Sequence, residues 1–166
     1  MSPELNFEII PLGEVPARGP IPNGSFPGKD RQRPVVLVVD DERVIADTLS
    51  VILSRSGFSV QTAYNAEGAL ELARMVPPQL LLSDVMMGPG MDGTELAMTM
   101  VKLVPGCKVL LFSGHAATRD LLERARELGH DFTLLTKPLH PADLLARIKE
   151  TFAMPAAKNG AMPTHA

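Results

Sequence analysis

Five side chains that could do chemistry together close four separate apolar runs of this sequence. VVLVV (35–39) ends in Asp40 and Asp41, QLLLS (79–83) in Asp84, CKVLLF (107–112) in Ser113, and FTLLT (132–136) in Lys137. An ionised carboxylate is an accepted nucleophile toward a phosphoryl group, and an Asp in a polar crevice is ionised at pH 7. Three clustered carboxylates repel one another, which raises their proton affinity unless a cation offsets the charge. Mg2+ suits such a site because it takes hard oxygen ligands and keeps several waters. Charge in the loose transition state of phosphoryl transfer spreads over three equatorial oxygens. The ion, the Lys137 ammonium and the Ser113 hydroxyl would be aimed at those oxygens. Taken singly, each residue has a plainer reading: an Asp pair as a helix cap, a Lys before Pro as a loop residue, an Asp among Gly and Pro as a turn former. Their joint occurrence at successive strand ends favours the chemical reading.

The elements that must position them can be read in order. VVLVV is continuous and β-branched, as in a parallel strand buried on both faces. Asp41 is placed to cap the following helix, whose Ile45, Leu49, Ile52 and Leu53 form one stripe before Gly57 stops it. Residues 58 to 63 alternate as a more exposed strand. Asn65 then caps a helix with Ala66, Ala69, Leu70 and Ala73 on one face, ended by Pro77 and Pro78. After the strand that leads to Asp84 comes the loop VMMGPGMDG, then a helix marked by Ala97, Met100, Val101 and Val104. A fourth helix shows Leu121, Leu122, Ala125 and Leu128 inward. Pro141 opens a fifth with Leu145, Ile148 and Phe152 inward. Five strand-then-helix units at a spacing of about twenty-five residues predict an α/β fold with a doubly wound parallel sheet. Right-handed crossovers bring all strand ends to one crevice, where ligands of such sheets bind.

Composition narrows the classes. The 166 residues are 45% hydrophobic, enough for one core, with a net charge of −3 and no basic patch of the kind that binds nucleic acid. The single Cys107 cannot form an internal disulfide and reads as a buried strand residue. No charged and apolar leader and no membrane-length apolar run is present, so a soluble, cytoplasmic protein is expected. Residues 1 to 33 carry six of the fifteen prolines and no periodicity, and are expected to be a flexible extension. Residues 34 to 152 form the domain, and 153 to 166 a flexible tail. Met86, Met87 and Met91 read as loop packing, since Mg2+ avoids sulfur. The histidines show no ligand spacing, although His115, two residues after Ser113, is placed to tune how water reaches a modified Asp84.

VVDDE (38–42), SDVMM (83–87), MDG (91–93), FSGHA (112–116) and LTKP (135–138) together resemble the receiver domain of two-component response regulators over residues 34 to about 152. The resemblance implies a flavodoxin-like sheet of five strands in the order 2-1-3-4-5 with five helices. It implies Asp84 as phosphoacceptor, Asp41 as a direct Mg2+ ligand, Asp40 holding a metal-bound water, and Met86 offering its backbone carbonyl. Ser113 and Lys137 would contact the phosphoryl oxygens. The implied partners are a histidine kinase or phosphotransfer protein, and a downstream protein on the helix 4, strand 5, helix 5 face. Nucleic acid and membrane are not expected, and self-association would be a weak homodimer at most.

The match departs from the family in two places. Gly88 adds a residue to the loop after Asp84, and Leu134 stands three before Lys137, where the family usually places a switch Tyr or Phe. Phe132 is the candidate for a displaced substitute. Two alternatives follow: a phosphorylation-independent docking module, and an aspartyl-phosphate phosphatase. The phosphatase ranks last because Met86 stands where such enzymes carry a second Asp.

Overall fold

Among the described residues every strand is followed by a helix, and the apolar residues of the central strands are shared between two helical layers. The structure is a computed structural model that describes residues 33–155 apart from 115 and 117. The expectations for residues 1 to 32, for the chain beyond 155 and for His115 lie outside the described residues. The elements are β1 (Val35–Val39), α1 (Arg43–Arg55), β2 (Ser59–Ala63), α2 (Ala66–Met75), β3 (Leu80–Asp84), α3 (Gly93–Leu103), β4 (Lys108–Ser113), α4 (Thr118–Glu127), β5 (Thr133–Thr136) and α5 (Pro141–Ala153). All pairings are parallel, in the order β2-β1-β3-β4-β5, the flavodoxin-like order that the motifs implied.

The continuous apolar runs are explained by burial on both faces. Leu37, Val39, Leu81 and Leu111 point to one layer, against Ala69, Leu70, Leu96, Ala97 and Met100. Val36, Val38, Leu80, Leu82, Leu110 and Phe112 point to the other, against Ala46, Leu49, Leu53, Leu144 and Ile148. Edge strand β2 is only partly buried, as its alternation predicts.

Several local expectations change. Asp41 does not cap α1. Glu42 occupies the cap position without a side-chain bond, and the buried Asp40 accepts its N–H at 2.9 Å. In α4 Ala125 is buried and Leu121 and Leu122 pack partly buried on the core as expected, whereas Leu128 is exposed and Thr118 is buried. In α5 the expected Leu145, Ile148 and Phe152 all pack on the core, Ile148 fully buried and the other two partly, Leu144 is buried beside them, and the helix runs through Ala153. Phe132 precedes β5 and lies beside Cys107 and Val109 near the start of β4, stacked on His130. That is the opposite end of the strand from Ser113, so Phe132 is no substitute for an aromatic at position 134.

Helix α3 reaches the end of β3 by a very close approach. Asp92 accepts from the N–H groups of Thr94 and Glu95, and Glu95 returns a bond to the Asp92 N–H, a reciprocal capping box. Gly93 donates to the Val85 carbonyl at 2.8 Å, and a Cβ added there would sit 2.0 Å from the Asp84 carbonyl oxygen. Only glycine lets the helix seat on the backbone of the strand that carries Asp84. Gly93→Ala is therefore expected to cost about 3 kcal/mol or more by forced displacement of α3, read by urea unfolding. A change under about 0.5 kcal/mol, the size of an ordinary surface substitution, would contradict this seating.

Candidate functional site

The parallel register sets the ends of β1, β3, β4 and β5 side by side. Val39 pairs with Ser83, Asp84 with Phe112, and Ser113 with Thr136. The residues that follow or close these strands are thereby gathered at one edge of the sheet. Asp40, Asp41 and Asp84 have carboxylate oxygens that all lie within 4.8 Å of one another. Asp40 is fully buried, Asp84 is 5% exposed, and Asp41 faces solvent.

Among the described residues, one cation faces this cluster at contact range. Lys137 Nζ lies 3.3 Å from Asp84 Oδ2 and 3.5 Å from Asp40 Oδ2, with the Phe112 ring centroid 4.9 Å away. The Lys137 N–H donates to the Ser113 carbonyl at 3.0 Å, which fixes the start of the lysine side chain. Met86 N–H approaches Asp84 Oδ1 at 3.3 Å, so the residue after Val85 folds back onto the carboxylate, while its side chain is exposed. The loop that carries Gly88 runs close to Asp41: a Cβ on Gly88 would lie 3.7 Å from Asp41 Oδ2.

The charges do not balance. Burial pushes the Asp40 carboxyl up to about 6, with the Asp84 carboxylate adding to the rise, although the Glu42 N–H and the Lys137 ammonium both oppose it. One ammonium is too little for two buried carboxylates and a third at their side. The donors are all oxygen, close together and short of positive charge, which fits a hard divalent cation such as Mg2+. Asp40, Asp41 and Asp84 could hold it.

Ser113 is buried, and its hydroxyl lies 2.5 Å from that of Thr118. Thr118 was not singled out from the sequence. A small hydroxyl residue at the start of a helix reads as a cap, and nothing local shows that it turns inward toward a strand end. Leu134 lines a cavity with Thr118, Arg119, Leu122 and Arg126 and is 36% exposed. Cys107 is buried as expected, and desolvation pushes its thiol up to about 12, which makes it inert. Among the described residues no helix is long and apolar enough to cross a membrane.

The position of Asp40 has a pH consequence in the metal-free protein. Its folded-state value lies above the ordinary 3.8, so between about pH 4 and 6 the folded protein holds a proton that the unfolded chain has lost. Asp40 thus destabilises the fold above about pH 6, and that stability returns as pH falls toward 4. Asp40→Asn should raise stability at pH 7 in the presence of a chelator by on the order of 1–3 kcal/mol and flatten the slope between pH 4 and 6. Urea unfolding across that range checks it, and a variant that keeps the wild-type slope would contradict it.

A family model described as the response regulator receiver domain matches residues 36–149. Among solved structures, a CheY-like response regulator receiver domain protein from Methanospirillum hungatei JF-1 is 32% identical, with a TM-score of 0.65 over 73% of this chain and 94% of that one. Chemotaxis response regulator CheY4 of Vibrio cholerae is 26% identical, with a TM-score of 0.61 over 72% of this chain and 98% of that one. NtrX from Brucella abortus matches at 28% identity and a TM-score of 0.65 over 73% of this chain but only 27% of its own. With the family model covering nearly all of the five strand-and-helix units, the chain belongs to the response regulator receiver domains of two-component systems.

Proposed function

We propose that this protein is a phosphorylation-switched signalling protein, in which Asp84 accepts a phosphoryl group from a histidine kinase or phosphotransfer protein. Receiver domains are phosphoacceptors that bind Mg2+ at an acidic pocket and work with such partners. The observation that carries the reading here is the nearly buried Asp84 carboxylate, 3.3 Å from the Lys137 ammonium inside a cluster of three acids.

In the transfer, the P–N bond of the donor's phosphoimidazole breaks as a bond forms between phosphorus and an Asp84 carboxylate oxygen. The imidazole leaves with the electron pair and is protonated from solvent. Asp40, Asp41, Asp84 and the backbone carbonyl of Met86 are the groups that would hold Mg2+, Asp40 through a water. When bound, the ion neutralises charge on the acids and on the phosphoryl oxygens. Lys137 follows the charge: its ammonium, now shared between Asp40 and Asp84, is within reach of a phosphoryl oxygen on Asp84. Ser113 supplies a hydroxyl at the neighbouring strand end. Water is limited by the burial of Asp84, and the oxygen-rich rim orients the group.

Donor docking has a surface beside the site. A cavity of about 570 Å3 next to Lys137 is lined by Val44, Ile45, Ile52, Pro138 and Leu139, apolar residues of α1 and of the turn into α5. The output surface in this reading is the α4, β5, α5 face, and the place of action is the cytoplasm. The docking-module alternative draws on Leu134, a side chain with no hydrogen-bonding group where the family carries an aromatic.

Intact mass after incubation with acetyl phosphate and Mg2+ decides between the two. A Mg2+-dependent gain of one phosphoryl group, absent from Asp84→Asn, is expected. A folded, metal-binding wild type that takes up no phosphoryl group from acetyl phosphate or from a phosphohistidine donor would overturn the proposal in favour of docking alone.

A further inference from the structure

We infer that Phe112 is a positioning residue for Lys137: its ring is the platform across which the lysine reaches the acids. The inference rests on Asp84 being the phosphoacceptor. Side chains alternate along a strand, and Val38, Leu82, Phe112 and Leu135 all lie in the layer shared with α1 and α5. Asp40, Asp84 and Lys137 each stand two residues beyond one of these, on the same face. The register runs Asp84, Phe112, Leu135 across β3, β4 and β5. Neighbouring strands lie about 4.8 Å apart, so a lysine rooted past β5 must cross the width of β4 to touch Asp84. The residue it crosses on that face is Phe112. The Lys137 N–H bonds to the Ser113 carbonyl at 3.0 Å, which starts the side chain beside β4. Its Nζ ends over the Phe112 ring, 4.9 Å from the centroid, with Asp84 at 3.3 Å and Asp40 at 3.5 Å.

The ring acts on the ammonium in two ways. Phe112 is fully buried, so it keeps water from the side of the ammonium that it covers. Its negative face also attracts the cation without making a hydrogen bond that would compete with the acids. Leucine or methionine would fill the layer but offers no such face. The attraction also outlasts a change of charge at the acids. Once Mg2+ draws on the carboxylates their hold on the ammonium weakens, and the ring still keeps Nζ where the phosphoryl oxygens arrive. Phe112 therefore serves the transfer step through Lys137 and not the ion, whose proposed ligands follow β1 and close β3.

Full-length wild type, Phe112→Leu and Phe112→Met are compared. Intact mass follows the rate of phosphorylation by acetyl phosphate, whose bond from phosphorus to the acetate oxygen breaks as the bond to Asp84 forms, acetate leaving with the electron pair. Titration calorimetry gives the Mg2+ affinity, and NMR follows the Lys137 ε-methylene protons, assigned by their absence from Lys137→Met. In wild type the ring should shift those protons upfield of the other lysines. Both variants should lose the shift and accept the phosphoryl group roughly three- to thirtyfold more slowly at saturating Mg2+, the factor for one cation–ring contact. Mg2+ should bind them as tightly as wild type or more tightly, because the ammonium that opposes it is held less firmly. A purely packing role would weaken Mg2+ binding together with the rate, and that joint loss overturns the proposal. So does a wild-type rate in a variant that has lost the shift. Unshifted Lys137 protons in wild type overturn it as well, a result that stands even where a variant of this buried residue fails to fold. A wild type that shows the shift yet takes no phosphoryl group overturns the Asp84 reading, and the role in transfer with it.

Discussion

The structure turns on one ammonium set against two buried carboxylates. Lys137 Nζ sits 3.3 Å from Asp84 and 3.5 Å from Asp40, while Asp41 adds a third acid at the rim. Burial in a medium less polarisable than water makes each of these interactions stronger and each unpaired charge more costly. Replacing one carboxylate by a neutral group relieves the repulsion. Removing the ammonium takes away the charge that opposes it. The fold tolerates this state because the cluster lies at the end of the sheet, and in the proposed reading a cation and a phosphoryl group complete it.

Holding such a cluster together requires stiffness from elements that do no chemistry. The two apolar layers lock β1, β3 and β4 in register, which brings Asp40, Asp84 and Ser113 to the same height. Helix α3 sits directly on the backbone of Asp84 and Val85 through Gly93, and its start is tied by the reciprocal bonds of Asp92 and Glu95. The Met-Asp-Gly triplet thus serves packing and capping beside the acids. Helix α4 follows the strand that carries Ser113 and packs on the core through buried Ala125 and the partly buried Leu121 and Leu122.

Most of this was legible before any coordinates. The strand runs showed their burial because a sheet covered on both faces needs continuous apolar residues, and the acids, Ser113 and Lys137 stood out as polar residues ending those runs. What failed depended on where a helix turns its faces. In α5 the stripe of Leu145, Ile148 and Phe152 does pack on the core, but Leu144, outside that stripe, is more deeply buried than the chemically identical Leu145. Asp41 looked like the cap of α1 because it is the nearer acid, yet Asp40 accepts the Glu42 N–H. The contact between Ser113 and Thr118 was invisible because it depends on how the β4–α4 loop closes, and five residues of separation carry no periodic signal.

The most direct measurement is the proton exchange that accompanies Mg2+ binding. Titration calorimetry in buffers of differing ionisation enthalpy counts the protons released per ion. With Asp40 pushed up to about 6 in the metal-free protein, binding at pH 6 should release about half a proton, and binding at pH 8 close to none. Binding at pH 6 without proton release would contradict a cluster strained by its own charge and relieved by the cation.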